Sequence, residues 1–177
     1  MRKITIDKKK GILFWVTGLS GSGKTTISQL IKKEIIKTYG PTVLVSGDNL
    51  RKIFDFKGYG KKERLNLSRK FCKFAKFVTD QKINLIFAIV GLMNEPRNWN
   101  RKNIKNYVEI YIKSDLKKII SHKAKKIYHR KRKEKIVGLS IRPEFPKNPH
   151  ITITNNFKYD TKHLSAKLIK EIKKKVN

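Results

Sequence analysis

Residues 18–25 of the chain read GLSGSGKT, with three glycines among small residues before a lysine and a threonine. The apolar, β-prone residues 12–17 precede this stretch, and residues 26–37 follow it with apolar side chains at helical spacing. A strand, a glycine-rich loop and a helix in this order form the P-loop pattern, in which backbone N–H groups and the positive end of a helix surround phosphate oxygens. The stretch therefore predicts a fold that binds the phosphates of a nucleoside triphosphate.

Two side chains of this loop have predicted chemical roles. Lys24 is a candidate catalytic residue because its charge neutralises the β- and γ-phosphates, and the Thr25 hydroxyl is the candidate ligand of Mg²⁺. ATP and Mg²⁺ are the expected cosubstrate and metal. The predicted nucleotide-binding residues are Gly18, Ser20, Gly21, Ser22, Gly23, Lys24, Thr25 and Thr26.

The length and charge of the chain limit its organisation and its partners. Its 177 residues, 38% of them hydrophobic, suffice for one core and predict a single domain over residues 1–177. The formal net charge of +31 arises from 44 Lys and Arg against 13 Asp and Glu. Such a surface attracts nucleotides and nucleic acids, although the Lys, Ile and Asn content that an A/T-rich genome produces explains the charge equally well.

The cysteine content and the apolar runs predict a cytoplasmic protein without a membrane segment. Cys72 is the only cysteine, so no intrachain disulfide can form, and its aromatic neighbours indicate a buried small hydrophobe rather than a nucleophile. The basic N-terminal residues are followed by an apolar run, as in a signal peptide, but that run leads directly into the P-loop. The apolar residues 83–93 are too few to span a bilayer.

The order of predicted elements indicates an α/β fold. Strand-like runs alternate with helical patterns, which favours a three-layer α/β/α kinase fold around a five-stranded parallel sheet. The predicted strands cover residues 12–17, 42–45, 83–90, 107–112 and 151–153, and the predicted helices include 26–37, 61–81, 116–126 and 161–176.

Residues 129–149 differ from the rest of the chain because they combine many basic residues with glycine and three prolines and lack an apolar period. Loops of this length in compact domains are usually functional lids or disordered linkers, and the basic residues favour a lid in a chain with a P-loop. We expect a basic lid over bound phosphates. The basic cluster at residues 131–133 is equally consistent with a nucleic-acid patch or a solvated run.

Asp48 directly follows the second predicted strand, at the sheet edge where ligands of open α/β folds bind. Phosphoryl transfer requires a group there that orients the attacking hydroxyl, so Asp48 is the second candidate catalytic residue. The alternative role is an N-cap of the following helix, and both roles can coexist.

Further motifs follow in order along most of the chain, and together with the loop they resemble the adenylylsulfate kinase family. Enzymes of this family transfer a phosphate from ATP to the 3′-hydroxyl of adenosine 5′-phosphosulfate. The matching pieces are residues 18–26, residues 47–51 (GDNLR against D-G-D-N-x-R), Gly58-Tyr59, Glu63-Arg64, residues 108–112, Lys125, Tyr128, Gly138-Leu139, Pro146, Asn148 and Pro149.

The resemblance implies roles for residues outside the loop. Asp48 would activate or orient the acceptor hydroxyl, and Arg51 and Arg64 would bind the anionic 5′ group of the acceptor. Tyr59 would stack on its base, and Lys125 would reach substrate or phosphate from the lid. Clustered cations suit a doubly anionic acceptor on physical grounds as well.

The departures from the family pattern fall mainly on acceptor recognition. The phenylalanine that would complete an aromatic sandwich on the acceptor base has no counterpart beyond Ile136 and Val137. Stacking contributes on the order of 1–3 kcal/mol per base, so adenine binding is expected to weaken. Other departures are Ser46 for an aspartate, Leu67 for an asparagine, residues 91–93 (GLM) for S-P-Y, His122-Lys123 for Arg-Asp and Lys126 for a glycine.

Several functions therefore stay open at this point. The first is an adenylylsulfate kinase acting on a small nucleotide acceptor, with no nucleic-acid or membrane partner and with a homodimer as a compatible assembly. The second is a cytidine diphosphoramidate kinase of bacterial capsule modification, which resembles this family but uses a smaller base. The remaining alternatives are a nucleic-acid-associated P-loop protein and an inactive kinase, the latter suggested by Ser46 in place of the family aspartate and by the altered acceptor-binding residues.

Overall fold

The computed structural model describes residues 3–122 and 135–176 of the chain. Within them a five-stranded sheet has the order β2-β3-β1-β4-β5, and all four strand pairs are parallel. The elements in chain order are β1 (Leu13–Thr17), α1 (Lys24–Tyr39), β2 (Thr42–Ser46), α2 (Gly47–Ile53), α3 (Lys61–Asp80), β3 (Asn84–Ile89), α4 (Asn94–Asn103), β4 (Tyr107–Lys113), α5 (Leu116–Ser121), β5 (Ile151–Thr154) and α6 (Thr161–Lys175).

The central strands are apolar because helices cover both faces of the sheet. β1 and β3 are buried along their whole length, as expected for strands in the interior of a parallel sheet. One core cluster joins the sheet to α1 and α6, and a second joins its other face to α3. The predicted three-layer α/β fold with five parallel strands is confirmed.

α4 is the one long helix of the described residues that the sequence did not predict. Its buried positions include Pro96, Arg97 and Asn100, so it lacks the apolar stripe by which a helix is recognised in a sequence. The helix predicted over residues 116–126 begins as expected, with the Asp115 side chain accepting a hydrogen bond from the Lys118 N–H. Lys125, Lys126 and residues 129–134 of the predicted lid lie outside the described residues.

Cys72 is only 1% exposed, and burial raises the pKa of its thiol to about 12. A thiol with this pKa stays protonated near neutral pH, so the predicted role as a buried hydrophobe is confirmed. In the described residues, the helices are too short or too polar to cross a bilayer.

Candidate active site

The phosphate-binding loop connects β1 to α1 at the carboxyl edge of the sheet. Gly18 lies so close to β4 that a Cβ atom there would be 2.5 Å from the Ile112 carbonyl oxygen. Gly23 has a φ of +91° directly before α1, a conformation that favours glycine. These two glycines allow the loop to turn back tightly over the end of β1.

Lys24 occupies the first turn of α1 and is 7% exposed, with its Nζ donating a hydrogen bond to the Leu19 carbonyl at 2.7 Å. The loop backbone thus holds the ammonium group beside the cleft. Thr25 follows it and is exposed toward the same cleft. A cation beside a threonine hydroxyl at a helix N-terminus suits a metal-bound triphosphate.

The loop borders a cleft of about 700 Å³ that also includes the start of α2 and the residues after β5. Its far end contains His122 and Phe157, whose rings are stacked with centroids 4.6 Å apart. Six predicted nucleotide-binding residues line this cleft, whereas Gly18 and Ser22 are buried behind it. The six lining residues are Ser20, Gly21, Gly23, Lys24, Thr25 and Thr26.

Asn155 is a site residue that the sequence reasoning missed. It directly follows β5 and is 4% exposed, and its Nδ2 donates a hydrogen bond to the Ser22 carbonyl oxygen at 3.1 Å. The bond connects the phosphate-binding loop, which follows the central strand β1, to the residue that follows the edge strand β5. The sequence could have indicated this residue by its position directly after a predicted strand, at the sheet edge where ligands bind.

A second cavity, of about 110 Å³, adjoins the first and brings together the predicted residues Asp48, Arg51, Tyr59 and Arg64. We call it the acceptor cavity and the larger cleft the donor cleft. Both are bordered by Ser20, Gly47, Asp48, Ile89 and Val90. Asp48 thus places a carboxylate at the junction of the two spaces.

The predicted N-cap role of Asp48 is wrong. Ser46 caps α2, because its Oγ accepts the hydrogen bond from the Asn49 N–H at 3.1 Å. Asp48 lies inside the first turn of that helix and is exposed at the junction. The serine that replaces a family aspartate therefore has a structural task of its own.

Two arginines surround the Tyr59 ring. The Cζ atoms of Arg51 and Arg64 lie 4.5 and 5.5 Å from the ring centroid. Arg51 also donates to the Gly58 carbonyl at 2.9 Å, so its guanidinium is held in place by the loop before α3. Burial, and then the charge of Arg51, lower the pKa of Arg64 from its usual value. Two cations held this closely form a strong anion-binding region.

The acceptor cavity also has an apolar lining, which includes the buried Phe71. Leu67 from α3 and Ile136 and Val137 from the lid are all buried and line the cavity. Gly91 and Met93, from the segment after β3, also line the cavity. Five of the residues at which the sequence departs from the family pattern thus border one cavity, namely Leu67, Gly91, Met93, Ile136 and Val137.

The fold and the site define a P-loop kinase with adjoining donor and acceptor spaces. The sequence profile of the adenylylsulphate kinase family matches residues 10–154, so the chain belongs to this family of ATP- and Mg²⁺-dependent phosphotransferases. The donor cleft, with its loop, lysine and threonine, fits that cosubstrate and metal.

Relatives with two different acceptors resemble the chain. It is 36% identical to the cytidine diphosphoramidate kinase of Campylobacter jejuni, over 84% of this chain and 88% of the relative. It is 32% identical to the adenylyl-sulfate kinase of Clostridium kluyveri, over 84% of this chain and 77% of the relative. The solved structure of the Mycobacterium tuberculosis APS kinase with AMPPNP and APS superposes with a TM-score of 0.79 at 21% identity, over 93% of this chain and 98% of that one, and supports the fold.

Proposed function

We propose that the protein transfers the γ-phosphate of ATP to the ribose 3′-hydroxyl of a cytidine nucleotide with an anionic 5′ group, namely cytidine diphosphoramidate. The observation that carries this choice is the lid part of the acceptor cavity, which is formed by the aliphatic residues Ile136 and Val137. A one-ring base needs less space and a smaller stacking surface than adenine. Tyr59 would supply one aromatic surface, and the lid residues that line the same cavity, Ile136 and Val137, have no aromatic ring.

The arginines of the acceptor cavity suit the other end of such a nucleotide. Arg51 and Arg64 flank Tyr59, so a base near that ring places its 5′ diphosphate derivative within reach of both guanidinium groups. Guanidinium groups bind phosphate oxygens in pairs of hydrogen bonds. The ribose then lies between base and phosphates, on the side of the cavity where Asp48 joins the donor cleft.

The transfer follows from this arrangement. Lys24 and the loop amides would hold the phosphates of ATP, and Thr25 would hold Mg²⁺, which would offset the charge of the phosphates. Asp48 orients the 3′-hydroxyl and accepts its proton as the hydroxyl oxygen bonds to the γ-phosphorus. The bond from that phosphorus to the β–γ bridging oxygen breaks, and ADP leaves. Positioning and charge stabilisation supply most of the rate enhancement in such reactions.

Adenosine 5′-phosphosulfate is the second candidate acceptor. The match of residues 10–154 to the adenylylsulphate kinase family favours it, and the two arginines suit its 5′ group as well. The choice between these acceptors depends on the base, because both carry anionic 5′ groups. A cytoplasmic location and a homodimer remain predictions that accompany either acceptor.

An acceptor panel tests the proposal. The protein is incubated with ATP, Mg²⁺ and cytidine diphosphoramidate, adenosine 5′-phosphosulfate, CDP or a short RNA, and the products are identified by mass. We expect phosphate to be added to the cytidine compound with a kcat/KM at least about tenfold above that of the adenosine compound, which corresponds to about 1.4 kcal/mol. The Lys24→Ala variant is the control and should give no product.

The other outcomes of the panel are equally decisive. Preference for adenosine 5′-phosphosulfate would overturn the acceptor assignment and leave the transfer mechanism in place. Full activity of Lys24→Ala would contradict the donor-site assignment. Binding of the RNA that decreases steeply with salt, without phosphorylation of any small acceptor, would favour the nucleic-acid-associated alternative.

A further inference from the structure

Glu144 lies outside the acceptor cavity but is bonded to one of its walls. Its backbone N–H donates to the Leu92 carbonyl at 2.9 Å, and its side-chain Oε2 accepts from the Asn94 N–H at 2.6 Å. Leu92 lies between Gly91 and Met93, which both line the cavity. We call residues 91–94 the acceptor-wall segment. Glu144 therefore holds this segment through both its backbone and its carboxylate.

The lid residues that line the acceptor cavity, Ile136 and Val137, belong to the same stretch of chain as Glu144. Residues 136–141 form a closed turn, in which the Ile141 N–H donates to the Ile136 carbonyl at 3.1 Å and the Gly138 N–H donates to the Ile141 carbonyl at 2.9 Å. Glu144 follows this turn by three residues. The position of Ile136 relative to the acceptor-wall segment thus depends on where Glu144 is attached.

Arg97 also connects the acceptor-wall segment to Glu144. It is 2% exposed, forms an ion pair with Glu109 at 3.2 Å, and donates to the carbonyl oxygens of Gly91 at 3.0 Å and Glu144 at 2.8 Å. Its guanidinium contacts the acceptor-wall segment and the lid end at once. Since a buried cation with these partners cannot shift freely, the two stretches are held at one separation.

We infer that Glu144 is a positioning residue for acceptor binding, which sets the distance between the acceptor-wall segment and the lid turn. This inference rests on the proposed function, because it assigns the cavity to the acceptor. Glu144 borders neither the donor cleft nor the acceptor cavity, so it acts through the residues that it holds. Loss of its carboxylate removes the acceptor of the Asn94 N–H and so one of the bonds between the acceptor-wall segment and the lid end, while the backbone bonds of Glu144 to Leu92 and Arg97 remain.

The test compares Glu144→Ala with Glu95→Ala. Both variants remove one carboxylate near the start of α4, but Glu95 pairs with Arg69 on the exposed side of that helix. We expect Glu144→Ala to raise the acceptor KM about tenfold while kcat and the ATP KM change less than about threefold, as for the loss of a charge-assisted hydrogen bond. Glu95→Ala should leave all three constants near the wild-type values. Glu144→Gln keeps an oxygen acceptor for the Asn94 N–H and should restore most of the affinity.

Amide hydrogen exchange gives a readout that does not depend on activity. We expect faster exchange at the Asn94 amide in Glu144→Ala than in Glu95→Ala at equal Tm. Wild-type exchange and an unchanged acceptor KM in Glu144→Ala would overturn the inference, as would a parallel loss of kcat and of both substrate affinities. If the wild-type protein phosphorylates no acceptor of the panel, the proposed function fails, and the exchange rates still decide whether Glu144 holds the wall.

Discussion

Ser46 and Asp48 are two positions apart and have separate tasks. The Ser46 hydroxyl accepts the Asn49 N–H and so satisfies a donor that the first turn of α2 would leave unpaired. Asp48 presents its carboxylate where the donor cleft meets the acceptor cavity. The N-cap of α2 therefore does not depend on Asp48, for which we propose a role in phosphate transfer.

The pair of variants Ser46→Ala and Asp48→Asn separates stability from chemistry. Ser46→Ala should lower the free energy of unfolding by about 1 kcal/mol, since an N-cap is lost. Asp48→Asn should lower it by only a few tenths of a kcal/mol, from the lost charge near a helix N-terminus, and reduce kcat by about a hundredfold or more. Urea unfolding and initial rates at saturating ATP measure the two effects. Comparable unfolding losses with an unaltered kcat in Asp48→Asn would mean that this carboxylate is structural.

Arg64 joins three parts of the fold at the acceptor cavity. It projects from α3, its Nε donates to the Tyr59 carbonyl at 2.7 Å, and its Nη2 donates to the Lys135 carbonyl at 3.0 Å. The helix α3, the loop before it and the lid are therefore connected through one guanidinium group. The planar fork of arginine makes this possible, because it directs several N–H groups along fixed directions.

Arg64→Lys keeps the charge and removes the fork. We expect the acceptor KM to rise about tenfold because one ammonium group cannot bond both carbonyls and still bind an anion. Arg69→Lys is the matched control, since Arg69 lies five residues further along α3 and pairs with the exposed Glu95. Steady-state kinetics with varied acceptor measure the difference. Equal KM values for the two variants would show that charge alone suffices at position 64.

The excess of basic residues affects the stability of the entire chain. With 44 Lys and Arg and only 13 Asp and Glu, most cations cannot pair with a side-chain carboxylate. Mutual repulsion of like charges destabilises a compact state, and salt screens it over a Debye length of about 10 Å at 0.1 M. Exposed ion pairs such as Lys76 with Asp80 each contribute at most about 1 kcal/mol.

Salt should therefore stabilise the fold. We expect the Tm to rise by a few degrees as KCl increases from about 0.02 to 0.3 M, since screening weakens repulsion more than it weakens exposed ion pairs. Chloride is preferred to sulfate in this experiment, because sulfate could bind the phosphate loop and stabilise the fold by mass action. Differential scanning calorimetry at constant pH measures the effect. A Tm that decreases with KCl would show that the ion pairs dominate.

Local patterns were sufficient to predict the sheet, most helices and the phosphate-binding loop. The strands β1 and β3 are continuous apolar runs, and the loop is a contiguous motif whose glycines, lysine and threonine act on their neighbours in the chain. Asp48, Arg51, Tyr59 and Arg64 could be named in advance because they follow the second strand within a short distance and match a family pattern. Apolar runs and contiguous motifs can be recognised in the sequence without knowing which distant residues come into contact in the folded chain.

The rest was decided by contacts between residues far apart in the chain. α4 was missed because Arg97 and Asn100, rather than an apolar stripe, form its buried face. Arg97 is stabilised there by Glu109 and by Glu144, which is 47 positions away. Asn155 likewise contacts the phosphate-binding loop across 133 positions. Burying such polar groups is favourable only when the folded chain supplies their partners, so the acceptor wall and its supports appear only in the tertiary structure.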